Sequence, residues 1–485
     1  PPNCPATQLW MDKDINGTDT YKIVGIKSGT SNNGFVVANQ PYKLKVSSTS
    51  GLIVTSTAAI GFPVGWTTAA NANLEFDISA STTQTLVGTD GGGGTNRTFS
   101  LAPGSNALPS GLTLTGSTGA ITGQIAAAGT TSVTFRLTDN ATGLFTDRTF
   151  SIGSPLYSFT SHTFTPCKSL SLGRGVSHTV AVGPTLTQVQ SAYSPDWTNY
   201  TSNLNVLGQG VQLWTVPQDG TYQIDAYGAK GGSAPSGHTG GNGVQIRGQF
   251  TLVKGEIIRI VVGQSGGFGR HTQTSSSYNS CSGGGGTYVV RTPYDTNASI
   301  LVIAGGGGGA VYDGTYSMAD GRHALTGTSG NSGQGTELGG TNGSGGGATG
   351  GTGGSGAGFF GDGVNVGSIT AKAFTNSGSE TTAYTSGLNH SVGGNGRTNW
   401  GTYPTYLAWG GFGGGGGGGG LASGGGGGYS GGGAGTWNLE QAGGGGGSYN
   451  NGTSQFSTTR SQSYQTGSIT ATDACNGKVI ITKIT

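Results

Sequence analysis

Charge is scarce in this chain. Only 9% of its 485 residues are Asp, Glu, Lys or Arg, and the formal net charge is +2. A nucleic-acid binder must cluster Lys and Arg to neutralise phosphates, and a polybasic membrane anchor needs the same cluster, so both are excluded. No apolar run approaches ~18 residues, which leaves no candidate for a membrane-inserted helix. Helical periodicity of useful length is missing too. Thr, Ser, Asn, Val and Ile fill the space between the glycines, and the chain reads as all-β. There are only 15 prolines and no G-X-Y period, so collagen is out. Cysteine is sparse: Cys4, Cys167, Cys281 and Cys475 allow three pairings, and none is spaced like a zinc site. At least one disulfide in an oxidising, extracellular place and buried free thiols are both open. The opening "PPNCPATQLW" has no signal-peptide pattern. The chain reads as a mature product or the ordered tail of something longer.

What is abundant is glycine: 102 residues, about three times the usual share. The glycines gather in nearly pure blocks, at 305–309, 345–347, 413–420, 424–428, 431–433 and 443–447. A Gly/Ser linker would be a flexible coil. Here strand-like runs flank the whole region, so its ends are pinned, and an ordered state is the better reading. The left-handed helix of three residues per turn makes no internal hydrogen bonds, so every N–H and C=O needs a neighbour. Glycine alone lets such backbones approach closely enough to bond one another. Phosphate cradling is excluded, because no G-K-[ST] opens a helix and no helix follows the G-x-G-x-x-G strings.

Catalytic signals are weak. "GYSGG" places Ser430 in a G-x-S-x-G pattern, but that elbow needs a strand before it, a helix after it, and His and Asp partners. His162, His178, His238, His271, His323 and His390 are scattered without metal-ligand spacing. A glycosidase needs two positioned carboxylates, and the glycine-rich region offers only Asp313, Asp320, Glu337, Asp362, Glu380 and Glu440, far apart. No enzyme is expected and no cofactor is implied. "DKDING" is sharper: Asp12, Asp14 and Asn16, with Gly17, match the start of a calcium loop. Ile23 stands where the bidentate Glu should be, and a plain Asx-rich turn is the stronger reading.

The aromatics among the glycine blocks are Tyr312, Tyr316, Phe359, Phe360, Trp400, Tyr403, Tyr406, Trp409 and Trp437. Rings on loops held by a rigid platform give large contact area at low entropic cost. We read them as receptor-binding, while any single ring could pack down onto the platform.

Four segments follow from the pattern: a small β unit over 1–70, a β-sandwich over 71–153, a bridging segment over 154–209, and a larger β domain over 210–485 holding the glycine insert at about 305–450. In the second, "LPSGLTLTGSTGAITGQI" resembles the Ig/cadherin-like repeats of bacterial surface proteins and phage fibres, which implies a sandwich spacer and no activity. From 160 onward, "GVQLWTVPQDGTYQIDAYGAKGG", "IIRIVVGQ", "GGGGTYVV", "LVIAGGGGGAVY", "GGFGGGGGGGGLASGGGGGYSGG" and "GKVIITKI" resemble the glycine-rich extracellular domain of anaplastic lymphoma kinase and leukocyte tyrosine kinase receptors. Related modules in phage and microbial surface proteins look similar. That resemblance implies a jelly-roll-like sandwich carrying a bundle of polyglycine-II helices. It also implies a second cysteine in the "GPTLTQVQ" segment, where this chain has Val189, so the partner of Cys167 is in doubt.

Together these readings give an all-β, extracellular chain of serial sandwiches. The leading expectation is a phage tail-fibre or virion receptor-binding adhesin, akin in kind to the adhesins that cap T-even long tail fibres. Its partners would be a host-surface protein or glycan and other virion or fibre proteins, with no nucleic acid and no membrane insertion; assembly into a homo-oligomer is left open. A bacterial cell-surface or filament-forming adhesin comes next, then a cytokine-binding receptor ectodomain.

Overall fold

A computed structural model describes residues 9–13, 21–26, 43–47, 53–59, 64–69, 73–76, 81–90, 94–126, 129–167, 182–234, 237–270, 278–313, 318–349, 353–364, 370–375, 408–419, 422–436, 441–461 and 475–484. Its regular secondary structure is nearly all β, and the chain falls into two compact units, 1–155 and 156–485.

The first unit begins with two hairpins, Leu9–Lys13 with Tyr21–Ile26 and Lys43–Ser47 with Ile53–Ala59. A sandwich follows. One sheet runs in the order Asn73–Glu75, Phe145–Gly153, Thr130–Asp139, Arg97–Leu101, and another in the order Leu112–Thr115, Ala120–Gly123, Thr82–Thr85. Successive side chains of a strand face opposite sides, so Val133, Phe135 and Leu137 are all buried while their neighbours are not. They share one core with Phe76, Phe99, Ile121, Phe150 and Ile152. The quoted "LPSGLTLTGSTGAITG" is the hairpin at 112–123, and glycine closes its base. Gly111 sits at φ 94°, and a Cβ there would lie 2.0 Å from the Gln124 carbonyl oxygen. We expect Gly111→Ala to destabilise the 1–155 unit by about 1–3 kcal/mol, read as a fall in the midpoint of that unit's denaturant transition. An unchanged midpoint would mean the hairpin base is slack.

In the second unit two sheets face each other. One is ordered Ser161–Phe164, Lys478–Lys483, Gly220–Tyr227, Val244–Leu252, Thr453–Thr459. The other is ordered Leu204–Leu207, Val211–Thr215, Ile257–Val261, Thr287–Val290, Ile300–Ala304, Tyr449–Asn450. Trp214, Ile258, Ile260 and Val302 of one meet Tyr222, Ile224, Ile246 and Val479 of the other in a single core. The strand nearest the C-terminus thus lies between strands from 161–164 and 220–227, and everything from 156 belongs to this unit. One helix, Leu186–Ala192, interrupts the β pattern that the composition suggested for this segment. Thr185 and Gln188 form its capping box, each satisfying the other's backbone N–H, and its Val189 is buried. Cys167 is a buried free thiol in the same core cluster as Val189.

The glycine blocks carry almost no assigned strand, yet their backbones are hydrogen-bonded throughout. Gly424 and Gly427 donate to Cys281 and Gly284, Gly425 and Gly428 donate to Gly354 and Ala357, and Gly426 donates to Gly444. Each residue addresses a different neighbour, and every third residue addresses the same one. The spacing recurs where Gly443 and Gly446 donate to Gly309 and Gly306, and where Gly283 and Gly286 donate to Gly416 and Gly413. A backbone that completes a turn in three residues and makes no internal bonds must satisfy itself in this way.

Candidate functional site

Three segments, 338–349, 353–364 and 370–375, lie side by side in the glycine region. Between them Gly346 donates to Gly356 and Gly363 to Ala371, both at 2.9 Å, and within them Gly347 donates to the Leu338 oxygen at 2.8 Å and Ser355 to Val364 at 3.1 Å. Side chains add cross-links: Ser355 Oγ donates to the Gly346 oxygen at 2.6 Å, and Asp362 accepts from Ala373 N–H at 2.8 Å and pairs with Lys372 at 3.2 Å. Apolar side chains stand out from this frame. Leu338 is 70% exposed, Val364 46% and Phe360 40%. The Phe360 ring lies over Gly343, where a Cβ would come within 2.4 Å of it.

From this face the chain leaves at Thr375 and returns at Ala408, enclosing the stretch that carries Trp400, Tyr403 and Tyr406. Both roots are held. Phe374 stacks on Phe359, with centroids 5.2 Å apart and 14° between planes, and on Tyr288 at 5.3 Å and 24°. Thr375 bonds the Phe359 oxygen through both N–H and hydroxyl. Ala408 exchanges backbone bonds with Gly418, and the Trp409 oxygen accepts from Gly267. Tyr288 and Tyr429 are pinned beneath: their hydroxyls donate to the Gly428 oxygen at 3.0 Å and to Asn297 Oδ1 at 2.9 Å. Burial pushes both phenols above their ordinary range, so they are neutral structural groups.

The expected aromatic set divides. Phe359 is fully buried in the core with Phe374 and Phe412, so it supports the face from beneath and presents nothing to a partner. Phe360 is exposed. Tyr312 is half-buried against His238, 5.8 Å away and near-parallel, and Trp409 is half-buried. Tyr316, Trp400, Tyr403, Tyr406 and Trp437 lie outside the described residues. So do Asp14 and Asn16 and the Asp12 side chain, although the Asp12 backbone pairs with Lys22. The sequence reading missed Leu338 and Val364. Their signal was there: large apolar residues stranded among glycines, with no strand pattern to bury them.

The groups considered for catalysis have structural partners. Ser430 is buried, and its hydroxyl accepts from Gly343 N–H at 3.0 Å. His323 Nδ1 accepts from Asn242 N–H at 2.9 Å. Glu337 accepts from Thr349 at 2.6 Å, and Asp320 from Thr239 N–H at 2.7 Å. Glu380 and Glu440 lie outside the described residues. Among the described residues no three His, Cys, Asp or Glu side chains gather as a metal site would require.

The Putative Ig domain family model matches residues 66–154, which is the sandwich of the first unit. The chain is also similar to the leukocyte tyrosine kinase receptor of Mus musculus, 41% identical over 85 residues. That match covers 17% of this chain and only 10% of the receptor. An Ig-like module and a stretch shared with a receptor fit an extracellular, non-catalytic binding protein. No helix among the described residues is long and apolar enough to cross a membrane.

Proposed function

We propose that the chain is a non-enzymatic extracellular adhesin, and specifically a phage tail-fibre or other virion receptor-binding protein. Its glycine blocks form a polyglycine-II bundle that serves as a rigid platform. The stretch between Thr375 and Ala408, with Trp400, Tyr403 and Tyr406, meets a host-surface protein or glycan, flanked by Phe360, Leu338 and Val364. The observation that carries this reading is the anchoring of both roots on hydrogen-bonded glycine backbone, with Phe374 held between Phe359 and Tyr288. Recognition residues gain most when the frame beneath them is already ordered, because less entropy is lost on binding. A receptor ectodomain module is the second reading, favoured by the stretch similar to the mouse receptor.

The test is to replace 376–407 by a Gly-Ser linker, leaving Phe359, Phe374 and the 370–375 segment in place. The expected result is an unchanged melting temperature with binding to host cells lost. Host-cell binding at the original level would remove the stretch from the site.

A further inference from the structure

Lys230 and Asn242 face each other across two neighbouring segments, and the fit is unusually fixed. Lys230 N–H donates to the Cys475 oxygen at 2.8 Å, and its own oxygen accepts from Gly266 at 3.0 Å. Asn242 N–H donates to His323 Nδ1 at 2.9 Å, and its oxygen accepts from Ala324 at 2.9 Å. Gly231 and Gly228 tie the two segments together through Gly241 and Val244. Both backbones are therefore committed on each side, and the side chains meet: Lys230 Nζ lies 2.8 Å from Asn242 Oδ1. The lysine is 2% exposed, and among the described residues Asn242 is the only hydrogen-bond partner of its amine.

An ammonium seeks three acceptors or water, and among the described residues one carboxamide oxygen is within its reach. Burial lowers the Lys230 pKa. Cys475 and Asp320 act to raise it, and Arg460 opposes them. His323 faces the same pair; burial and Lys230 both lower its pKa, while Asp320 raises it. In its deprotonated form the amine is a nucleophile and the carboxamide held within hydrogen-bond distance of it is an electrophile, and such proximity replaces much of the entropic barrier.

We propose that Lys230 and Asn242 close into an intramolecular isopeptide bond. The Nζ lone pair attacks Asn242 Cγ, forming the new C–N bond. The bond from Cγ to the carboxamide nitrogen breaks. One Nζ proton passes to that nitrogen, which leaves as ammonia. Amine and primary amide become secondary amide and ammonia, so no oxidant, reductant or water is consumed. The product removes a buried amine and ties the end of the Gly220–Tyr227 strand to the start of Val244–Leu252.

Intact mass and a tryptic map of the full chain decide the matter. The expected intact mass is lower than the sequence mass by one ammonia. Trypsin should fail to cut after Lys230, leaving a single looped peptide from 175 to 247 that gives no backbone fragments separating 230 from 242. Asn242 precedes Gly243, and cyclisation onto that glycine would also release ammonia, so Lys230→Met is the control. Loss of the ammonia deficit in Lys230→Met supports the bond. A deficit that survives in Lys230→Met, or a wild-type chain cut normally after Lys230, overturns it; the wild-type map decides even where the variant does not fold.

Discussion

A Gly416→Val chain is expected to lose the folded glycine bundle of the 156–485 unit. Gly416 lies mid-block in the 413–420 run, donates to the Gly425 oxygen at 2.7 Å and accepts from Gly283 at 2.9 Å. A Cβ there would fall 2.1 Å from the Gly354 oxygen and 2.6 Å from the Ser355 oxygen. Those atoms are backbone, not the free end of a flexible side chain, and their segment is itself bonded on other sides. A whole segment would have to move, breaking a row of buried hydrogen bonds. Overpacking of this kind costs about 3 kcal/mol or more. The matched control is Gly327→Ala in the same region, where an added Cβ meets nothing within 4 Å; it should stay within about 0.5 kcal/mol of the parent. Thermal melts followed by near-ultraviolet signal of the buried Tyr and Trp residues make the comparison. Identical melts for the two variants would mean that the 413–420 block is a flexible tether.

Acid should weaken the same unit, and His162 is the reason. Its ring is buried among Phe164, Tyr193 and Trp197, with centroids 4.7, 4.6 and 5.0 Å away, all near edge-on. Nε2 has no hydrogen-bond partner among the described residues. Burial pulls its pKa from 6.5 down to about 4. A depressed histidine is neutral in the fold while the unfolded chain already takes up a proton. Stability from this group is therefore full above pH 6.5, falls as pH drops below it, and is gone below about pH 4. A shift of this size amounts to about 3 kcal/mol. His162→Phe should flatten the slope of stability against pH between 4 and 6.5. A parent and variant with the same slope would clear His162 of the effect.

Much of the fold was legible because its signals are local. Alternation in "VTFRLTD" places Val133, Phe135 and Leu137 on one face, and the glycines of "LPSGLTLTGSTGAITG" mark turns that backbone geometry does require. The pairing of a terminal strand with 220–227 follows from strands that bracket the insert. The helix at 186–192 was missed although Thr185 and Gln188 spell its capping box, because its few turns carry only one buried residue. The site was harder. Phe359 and Phe360 are adjacent and chemically identical, yet one is buried and the other exposed. In a segment that is neither strand nor α-helix, neither the twofold nor the 3.6-fold pattern of ordinary reading predicts which way a side chain points. Lys230 and Asn242 were invisible for a related reason: their meeting depends on the alignment of two glycine-rich segments, and glycine leaves no side chain to announce register.

The three-residue rhythm of the bundle also constrains how its sequence can change length. Adding or removing three glycines from a block such as 424–428 shifts it by one full screw repeat, so each N–H finds an equivalent carbonyl on the same neighbour. One glycine more or less turns every later residue by about a third of a revolution and redirects its bonds to the wrong segment. Insertions and deletions inside the blocks are thus quantised in threes, while the connecting stretches at their ends are free of that rule. Diversity among descendants of this chain should accumulate as block lengths differing by three and as unrestricted change in the connections.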